Sequence, residues 1–317
     1  MPPRRRIGKR LVKSFLPIAL VIVLAVVGSL SFIVYCVSRP TKRPYVVTPE
    51  SFSRISGRAL KVTDETWTNL DGRNARGWLL KGAEGAPAVV LLHRYGGDRS
   101  WLFNLGVKIN ETTNFTILWP DLRGHGENPP IKWTSVGAKE ADDLVAALRY
   151  LRSLKSENQK TLVGESFGVY GVELGAYIAL KAALNESQIK VLVLDSISSQ
   201  NELLRTAVAN CVGVDNSFIQ SLSFIAMEVY LLGTYDDRNA CEFARSIRDQ
   251  RVLLLTGGDA GNLREATASL QSCFPDPGKV ETRIDLPLSG YSLPSATGEQ
   301  GEAYDRIVVE FFARNLR

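Results

Sequence analysis

The pattern of hydrophobic and polar positions divides the chain into an apolar N-terminal run and a long alternating region. Phe15–Val37 contains no charged residue and exceeds the roughly 20 residues that a helix needs to cross a bilayer. Further along, short unbroken apolar runs, typical of strands buried on both faces, alternate with segments of helical periodicity. The apolar runs are Ala88–His93, Phe115–Pro120, Lys190–Asp195, Arg251–Thr256 and Val280–Asp285. This alternation predicts an α/β fold with a mostly parallel sheet covered by helices on both faces.

A hairpin and several helices complete the predicted elements. Strand-like runs at Leu60–Asn69 and Ala75–Lys81 flank Asp71-Gly72, which is a hairpin-turn signal. Lys139–Leu154 carries leucines at helical spacing, so we expect a helix with one apolar face. The remaining predicted helices are Trp101–Val107 and Glu302–Asn315.

The stretch Lys160–Ala183 predicts a short strand, a tight turn and a helix. The turn is GESFG, in which glycines two positions either side of Ser166 relieve crowding around a strained residue. A second match to this spacing, GVELG centred on Glu173, follows seven residues later. We favour Ser166, because Gly171 and Gly175 would then share one helical face and allow close packing on the sheet. Glu173 is the alternative.

Basic residues cluster around the N-terminal apolar run. The formal net charge is +5, and residues 1–43 hold nine basic and no acidic residues. The rest of the chain therefore has a net charge of 5 − 9 = −4. This negative charge gives no reason to expect nucleic-acid binding. By the positive-inside rule the N-terminus lies in the cytoplasm. The chain is then a single-pass protein of the cytoplasmic membrane with a periplasmic or extracellular globular domain. A cleaved signal peptide is the alternative for this run.

Motifs in the globular region resemble those of the α/β-hydrolase superfamily over residues 58–317. LHRYGG at 92–97 is similar to the loop after the third strand, DLRGHG at 121–126 to the loop after the fourth, and GESFG to the nucleophile elbow. The resemblance implies an α/β-hydrolase fold with a small helical cap at about 199–250. It further implies an oxyanion loop at His93, Arg94 and Tyr95, a nucleophile at Ser166, a second oxyanion donor at the Phe167 N–H, and a catalytic acid at Asp259.

Two positions depart from the family pattern. Tyr291 stands where the resemblance places the catalytic histidine, and Arg94 replaces the first glycine of the oxyanion loop. The chain has two histidines, His93 and His125, and both belong to loop motifs. A phenol with a pKa near 10 is a poor base at neutral pH, so we interpret Tyr291 as a packing residue. Without an imidazole to orient, Asp259 is interpreted as a loop residue.

The sequence therefore predicts a membrane-anchored α/β-hydrolase relative with impaired hydrolysis, acting as a binding or scaffold module for a small-molecule or protein ligand. The alternative is an active esterase, thioesterase or peptidase that uses Ser166 with a non-standard base. The predicted divisions are a basic cytoplasmic tail (1–14), a transmembrane helix (15–37), a linker (38–57) and the hydrolase-fold domain (58–317).

Cofactor motifs and cysteine pairing add little to this picture. The sequence has no zinc-type spacing, P-loop or dinucleotide fingerprint, so no metal or cofactor is expected. Cys211, Cys241 and Cys273 lie in the predicted exported part. They allow one disulfide, whose pairing the sequence does not fix.

Overall fold

The computed structural model describes residues 5–214, 216–236, 238–296 and 298–317, and their side chains from position 15 onward. In this part of the chain eight strands form one sheet. They are β1 (Val62–Thr68), β2 (Asn74–Leu80), β3 (Ala86–Leu92), β4 (Thr116–Pro120), β5 (Val163–Val172), β6 (Ile189–Asp195), β7 (Arg251–Gly257) and β8 (Val280–Leu286). Their order is β1-β2-β4-β3-β5-β6-β7-β8. Pairings of β1 with β2 and of β2 with β4 are antiparallel and all others are parallel, which confirms the predicted sheet and hairpin.

Helices connect the strands. They are α1 (Arg5–Ser38), α2 (Pro49–Ser56), α3 (Phe103–Thr113), α4 (Glu140–Ser153), α5 (Leu174–Ala182), α6 (Gln200–Val212), α7 (Ser217–Leu231), α8 (Ala240–Ala244), α9 (Leu263–Leu270) and α10 (Gly298–Asn315). The apolar helix α5 follows the central strand β5 and is buried along nearly its whole length, as expected of a helix that is hydrophobic all round.

The chain divides into two compact units, Met1–Val37 with Leu204–Tyr235, and Ser38–Leu203 with Asp236–Arg317. The second unit contains the sheet. The predicted boundaries of tail, span, linker, domain and cap remain predictions, and residues 1–4 of the tail lie outside the described residues.

The first unit contains an apolar helix long enough to cross a membrane. Phe15–Ser38 has a mean hydropathy of 2.7, and its large side chains from Phe15 to Phe32 are largely exposed, whereas Ile33 and Val37 are buried. Cys36, in the last turn of α1, forms a disulfide with Cys211 of α6.

In the second unit, part of the segment predicted as a linker is folded onto the sheet domain. The Tyr45 hydroxyl donates to Asp121 Oδ2 over 2.7 Å, and Phe52 of α2 packs against the core. The helix α2 begins with a capping box between Thr48 and Ser51, which pairs backbone and side-chain groups at its first turn. A second disulfide, Cys241–Cys273, joins α8 to the turn after α9.

Candidate functional site

A single residue, Glu173, lies between the end of β5 and the start of α5. Its φ is 51° and its ψ is −104°, a conformation that costs energy for any residue with a Cβ. The flanking glycines permit this turn. A Cβ on Gly171 would lie 2.3 Å from the backbone of Gly175, and one on Gly175 would lie 2.2 Å from the carbonyl oxygen of Leu92. The spacing GVELG is therefore required by the strand-to-helix junction itself.

The prediction that Ser166 occupies the elbow is wrong. Ser166 lies in the first half of β5 and is partly exposed, and at about 3.3 Å per residue it is roughly 23 Å along the strand from Glu173. The predicted second oxyanion donor, the Phe167 N–H, instead donates to the Gln188 carbonyl over 2.9 Å. The physical reason is that FGVYGV, rich in aromatic and β-branched residues, continues the strand where we predicted the start of a helix.

Glu173 is buried and its carboxylate is held by hydrogen bonds. It is 5% exposed; Oε1 accepts from the Tyr291 hydroxyl over 2.9 Å, and Oε2 accepts from the Tyr95 N–H over 3.0 Å. Tyr95 lies in the loop after β3, and Leu174 is the residue after the elbow. In the α/β-hydrolase arrangement the oxyanion donors come from these two places. The Glu173 carboxylate thus occupies a donor that would otherwise face a substrate oxygen.

The electrostatics of Glu173 combine opposing effects. Burial is the largest and raises its pKa, while the Tyr291 hydroxyl, the Arg94 charge and the N–H groups of Tyr95 and Leu174 lower it; the net pKa is raised. Burial, together with the Glu173 charge, also raises the pKa of Tyr291 to about 12. Tyr291 therefore stays protonated at neutral pH and serves as a donor rather than as a base.

Arg94 lies beside Glu173 and Tyr291, and its guanidinium contacts two aromatic rings. Its guanidinium carbon is 4.3 Å from the ring centroid of Trp101 and 4.2 Å from that of Tyr291, within the range of cation–π attraction. Its Nη1 donates to the Tyr95 carbonyl over 3.2 Å. Arg94 thus contributes positive charge near Glu173 and packs on Tyr291.

Asp259 follows β7 and holds the loop that carries Tyr291. Its Oδ1 accepts from the Ser289 N–H over 2.7 Å and its Oδ2 from the Ser289 hydroxyl over 3.0 Å. The Ser289 Oγ in turn accepts from the Tyr291 N–H over 3.2 Å. The residue at the predicted acid position therefore orients the backbone of this loop.

Asp195, at the end of β6, is a site residue that the sequence reasoning missed. It is fully buried; its Oδ2 accepts from the Gly290 N–H over 2.7 Å and from the Tyr304 hydroxyl, and its Oδ1 accepts from Ser196 over 2.7 Å. Burial raises its pKa to about 6. The sequence did carry a signal for this residue, since Asp195 ends the apolar run KVLVLD. Parallel strands have their carboxyl ends at one edge of the sheet, where ligands bind, so a polar residue at that position is a candidate site residue.

Neither histidine is placed to act as a base. The Leu122 N–H donates to His93 Nε2 over 3.1 Å, which leaves His93 Nδ1 to donate to the Arg94 carbonyl over 2.8 Å. The Nδ1 of His125 donates to the Arg123 carbonyl over 2.9 Å. Burial lowers the pKa of His93 to about 4 and that of His125 to about 3, which makes both imidazoles weak bases. Both imidazoles hydrogen-bond backbone groups of the loops after β3 and β4.

A groove shares Trp101 with the site. It has a volume of about 370 Å³ and is lined by residues that include Phe52, Leu293 and Trp101, with Lys108 and Asp305 paired over 2.6 Å in its wall. This mixture of apolar surface and a few polar groups is typical of small-molecule sites. Over the described residues, no group of three or more His, Cys, Asp or Glu side chains could hold a metal.

Comparison with known proteins agrees with the observed fold. A family model described as the alpha/beta hydrolase fold matches residues 87–226. An esterase of Pyrococcus furiosus, Pf2001, superposes with a TM-score of 0.62 at 20% identity, over 88% of this chain and 98% of the esterase. A thermophilic esterase from Thermogutta terrifontis gives 0.56 at 17% identity, over 79% of this chain and 98% of that chain.

Among curated proteins, an uncharacterised 31.7 kDa protein from the traX–finO intergenic region of Escherichia coli is 23% identical over 124 residues. This match covers 39% of the chain and 42% of that relative's own length. The matched family model and the esterase neighbours show that the chain has the α/β-hydrolase fold.

Proposed function

We propose that this protein is a membrane-anchored α/β-hydrolase-fold protein that does not perform serine-type hydrolysis and acts as a binding module. The observation that carries the proposal is the elbow residue, since a glutamate stands at the nucleophile position and its carboxylate accepts from the Tyr95 N–H and the Tyr291 hydroxyl. A serine hydrolase needs a hydroxyl activated by an adjacent base. Here the elbow offers no hydroxyl, and the histidine position holds a phenol that remains protonated.

The binding role is supported by the groove beside Trp101. Loss of the catalytic groups leaves its lining intact, and the pair Lys108–Asp305 offers charged contacts next to apolar surface. A small molecule with both an apolar body and a polar group fits this lining. The esterase neighbours share the fold at no more than 20% identity, so their activity is not transferred to this chain.

Anchoring is proposed through residues 15–37, with the N-terminus in the cytoplasm. The apolar helix and its flanking basic residues support this orientation. The disulfides Cys36–Cys211 and Cys241–Cys273 support it independently, because disulfides persist in oxidising compartments outside the cytoplasm. Cys36 lies at the C-terminal end of the span, on the side that faces outward in this orientation.

The test of the chemistry uses purified full-length protein in detergent. We expect fluorophosphonate labelling and p-nitrophenyl acetate cleavage at the level of buffer alone, because no activated hydroxyl lies at the elbow. The double variant Glu173→Ser/Tyr291→His, which supplies a hydroxyl and an imidazole, should label above wild type at position 173. Ser166→Ala is the matched control. Introduced into the wild-type protein or into the double variant, it should leave the labelling and the ester cleavage unchanged. Stoichiometric labelling of the wild-type chain would contradict the proposal.

A second candidate function is covalent chemistry at Glu173 itself, which its position at the elbow favours. A carboxylate there could attack an electrophilic carbon and form an ester with it. Incubating the wild-type protein with an alkyl halide and mapping its peptides by mass spectrometry separates the two functions. An adduct confined to Glu173 would favour this second function, and an unmodified Glu173 would favour the binding module.

A further inference from the structure

Helix α7 presents a row of apolar side chains to its surroundings. Phe218, Ile225 and Val229 are 70%, 59% and 69% exposed. They lie seven and eleven positions apart, which at about 100° per residue places them within about 40° of one helical face. Leu232, the residue that caps the helix, is also exposed. The sequence of α7, SFIQSLSFIAMEVYL, has one charged residue, Glu228. A contiguous exposed apolar face of this kind marks an interaction surface.

The disulfide fixes where this face lies in its unit. Cys36 ends the apolar helix α1, and its Cα lies 6.1 Å from that of Cys211 in the last turn of α6. Only residues 213–216 separate α6 from α7, so the start of α7 lies within roughly 27 Å of Cys36 even with that connection fully extended. Helix α1 and residues 204–235 belong to one compact unit.

The exposure of α1 indicates where the lipid ends. Its aliphatic and Phe side chains are largely exposed up to Phe32. Beyond that position Ile33 and Val37 are buried, and Tyr35 is exposed. Tyrosine is typical of the membrane–water interface, so the part of α1 that needs a hydrocarbon environment stops about one turn before Cys36. The disulfide consequently holds the start of α7 near the outer surface of the bilayer.

We propose that the apolar face of α7, formed by Phe218, Ile225, Val229 and Leu232, inserts into the outer interfacial region of the same bilayer. This inference rests on the proposed anchoring by α1 and adds a second, in-plane contact. Because α7 carries no Lys or Arg, its binding comes from buried apolar area rather than from attraction to anionic lipid. The contact is therefore insensitive to salt and forms on neutral lipid.

The test uses the full-length protein in vesicles of phosphatidylcholine that contain a phospholipid with a photoactivatable diazirine on its acyl chain. After illumination, peptides are mapped by mass spectrometry. We expect label on α1 and on residues 216–232, and none on α10. The double variant Ile225→Glu/Val229→Glu should reduce the α7 label about tenfold and leave the α1 label unchanged. Ile55→Glu, which changes a still more exposed apolar residue of α2, is the matched control and should alter neither label.

The outcomes separate this inference from the anchoring on which it rests. Label on α1 but not on α7 would overturn the membrane contact of α7 and leave the anchor standing. Absence of label from both would overturn the anchor itself. Cross-links between α7 helices of two molecules, with α7 unlabelled by lipid, would assign the face to a second copy of the chain and overturn the inference. Label on α7 that falls when salt is added would contradict the apolar mechanism.

Discussion

The two ends of β5 carry the same glycine spacing around a polar residue, yet the glycines serve different neighbours. Near Ser166, a Cβ on Gly164 would lie 2.7 Å from the Gly85 carbonyl oxygen, whereas one on Gly168 would lie 2.6 Å from Cε1 of Phe312, a side-chain atom. Near Glu173, a Cβ on Gly175 would lie 2.2 Å from the Leu92 carbonyl, which belongs to the adjacent strand. A side chain can shift, whereas a backbone group in a central sheet cannot easily do so. The same glycine spacing therefore accompanies close packing around both Ser166 and Glu173. Only around Glu173 does it flank a strained strand-to-helix turn.

The polar residues at the two ends of β5 differ in burial and in their hydrogen bonds. Ser166 is partly exposed within its strand, whereas Glu173 is buried and its carboxylate oxygens accept from Tyr291 and Tyr95. Groups that lose water must find partners inside the protein. The Glu173 end is therefore coupled to the two loops that carry Tyr95 and Tyr291, and the Ser166 end is not expected to be.

The largest expected effect tests the glycines. Gly175→Ala should lower the free energy of unfolding by about 3 kcal/mol or more, and Gly168→Ala by about 1–2 kcal/mol, because overpacking costs more where the neighbour is backbone. Denaturant unfolding of the full-length protein in detergent, followed by circular dichroism, measures both. Equal losses for the two variants would remove the distinction between the two ends.

The sequence was sufficient to predict the sheet and the loops but not the elbow. Apolar runs such as Ala88–His93 and Arg251–Thr256 each correspond to a strand within two residues, because buried parallel strands leave a continuous apolar signature. The loops at 92–97 and 121–126 follow β3 and β4 as the resemblance implied. Tyr291 follows β8, and Asp259 lies in a single 3-10 turn, Gly258–Ala260, directly after β7.

The elbow could not be placed because the glycine spacing does not distinguish strand from helix. A usable signal was local preference, since a helix starting after Ser166 would have contained FGVYGV, with two glycines and two β-branched residues that disfavour a helix. The role of Asp195 depends on its contacts with Gly290 and Tyr304. These partners lie 95 and 109 positions away in the sequence. No local sequence pattern indicates contacts between residues so far apart.

A smaller effect compares the two polar residues. Glu173→Ala should lower the free energy of unfolding by about 2 kcal/mol, because it leaves the Tyr291 hydroxyl and the Tyr95 N–H buried without their acceptor. The cost is moderated because burial already disfavours the Glu173 charge, as its raised pKa shows. Ser166→Ala should stay within about 0.5 kcal/mol of wild type. A loss for Ser166→Ala as large as that for Glu173→Ala, in the same unfolding experiment, would show that both ends are structurally coupled.

A last effect, similar in size to that of Glu173→Ala, concerns pH and Asp195, which lies beside the Glu173 end of β5. Its folded pKa of about 6 exceeds the ordinary value of about 3.9, so between these values the folded protein keeps a proton that the unfolded chain releases. The stability this carboxyl contributes is fully present below about pH 4 and is lost as pH rises through about 6. Asp195→Asn cannot titrate, so its free energy of unfolding should fall less over this interval than that of wild type, by about 2 kcal/mol. Asp143, whose pKa burial also raises to about 6, titrates in both proteins and cancels in the comparison.

Ser166→Asn, a change at the opposite end of β5, is the matched control and should keep the wild-type slope of stability against pH. Parallel slopes for wild type and Asp195→Asn would show that the Asp195 proton is not retained on folding, and that the hydrogen bonds from Gly290 and Ser196 hold it as a carboxylate.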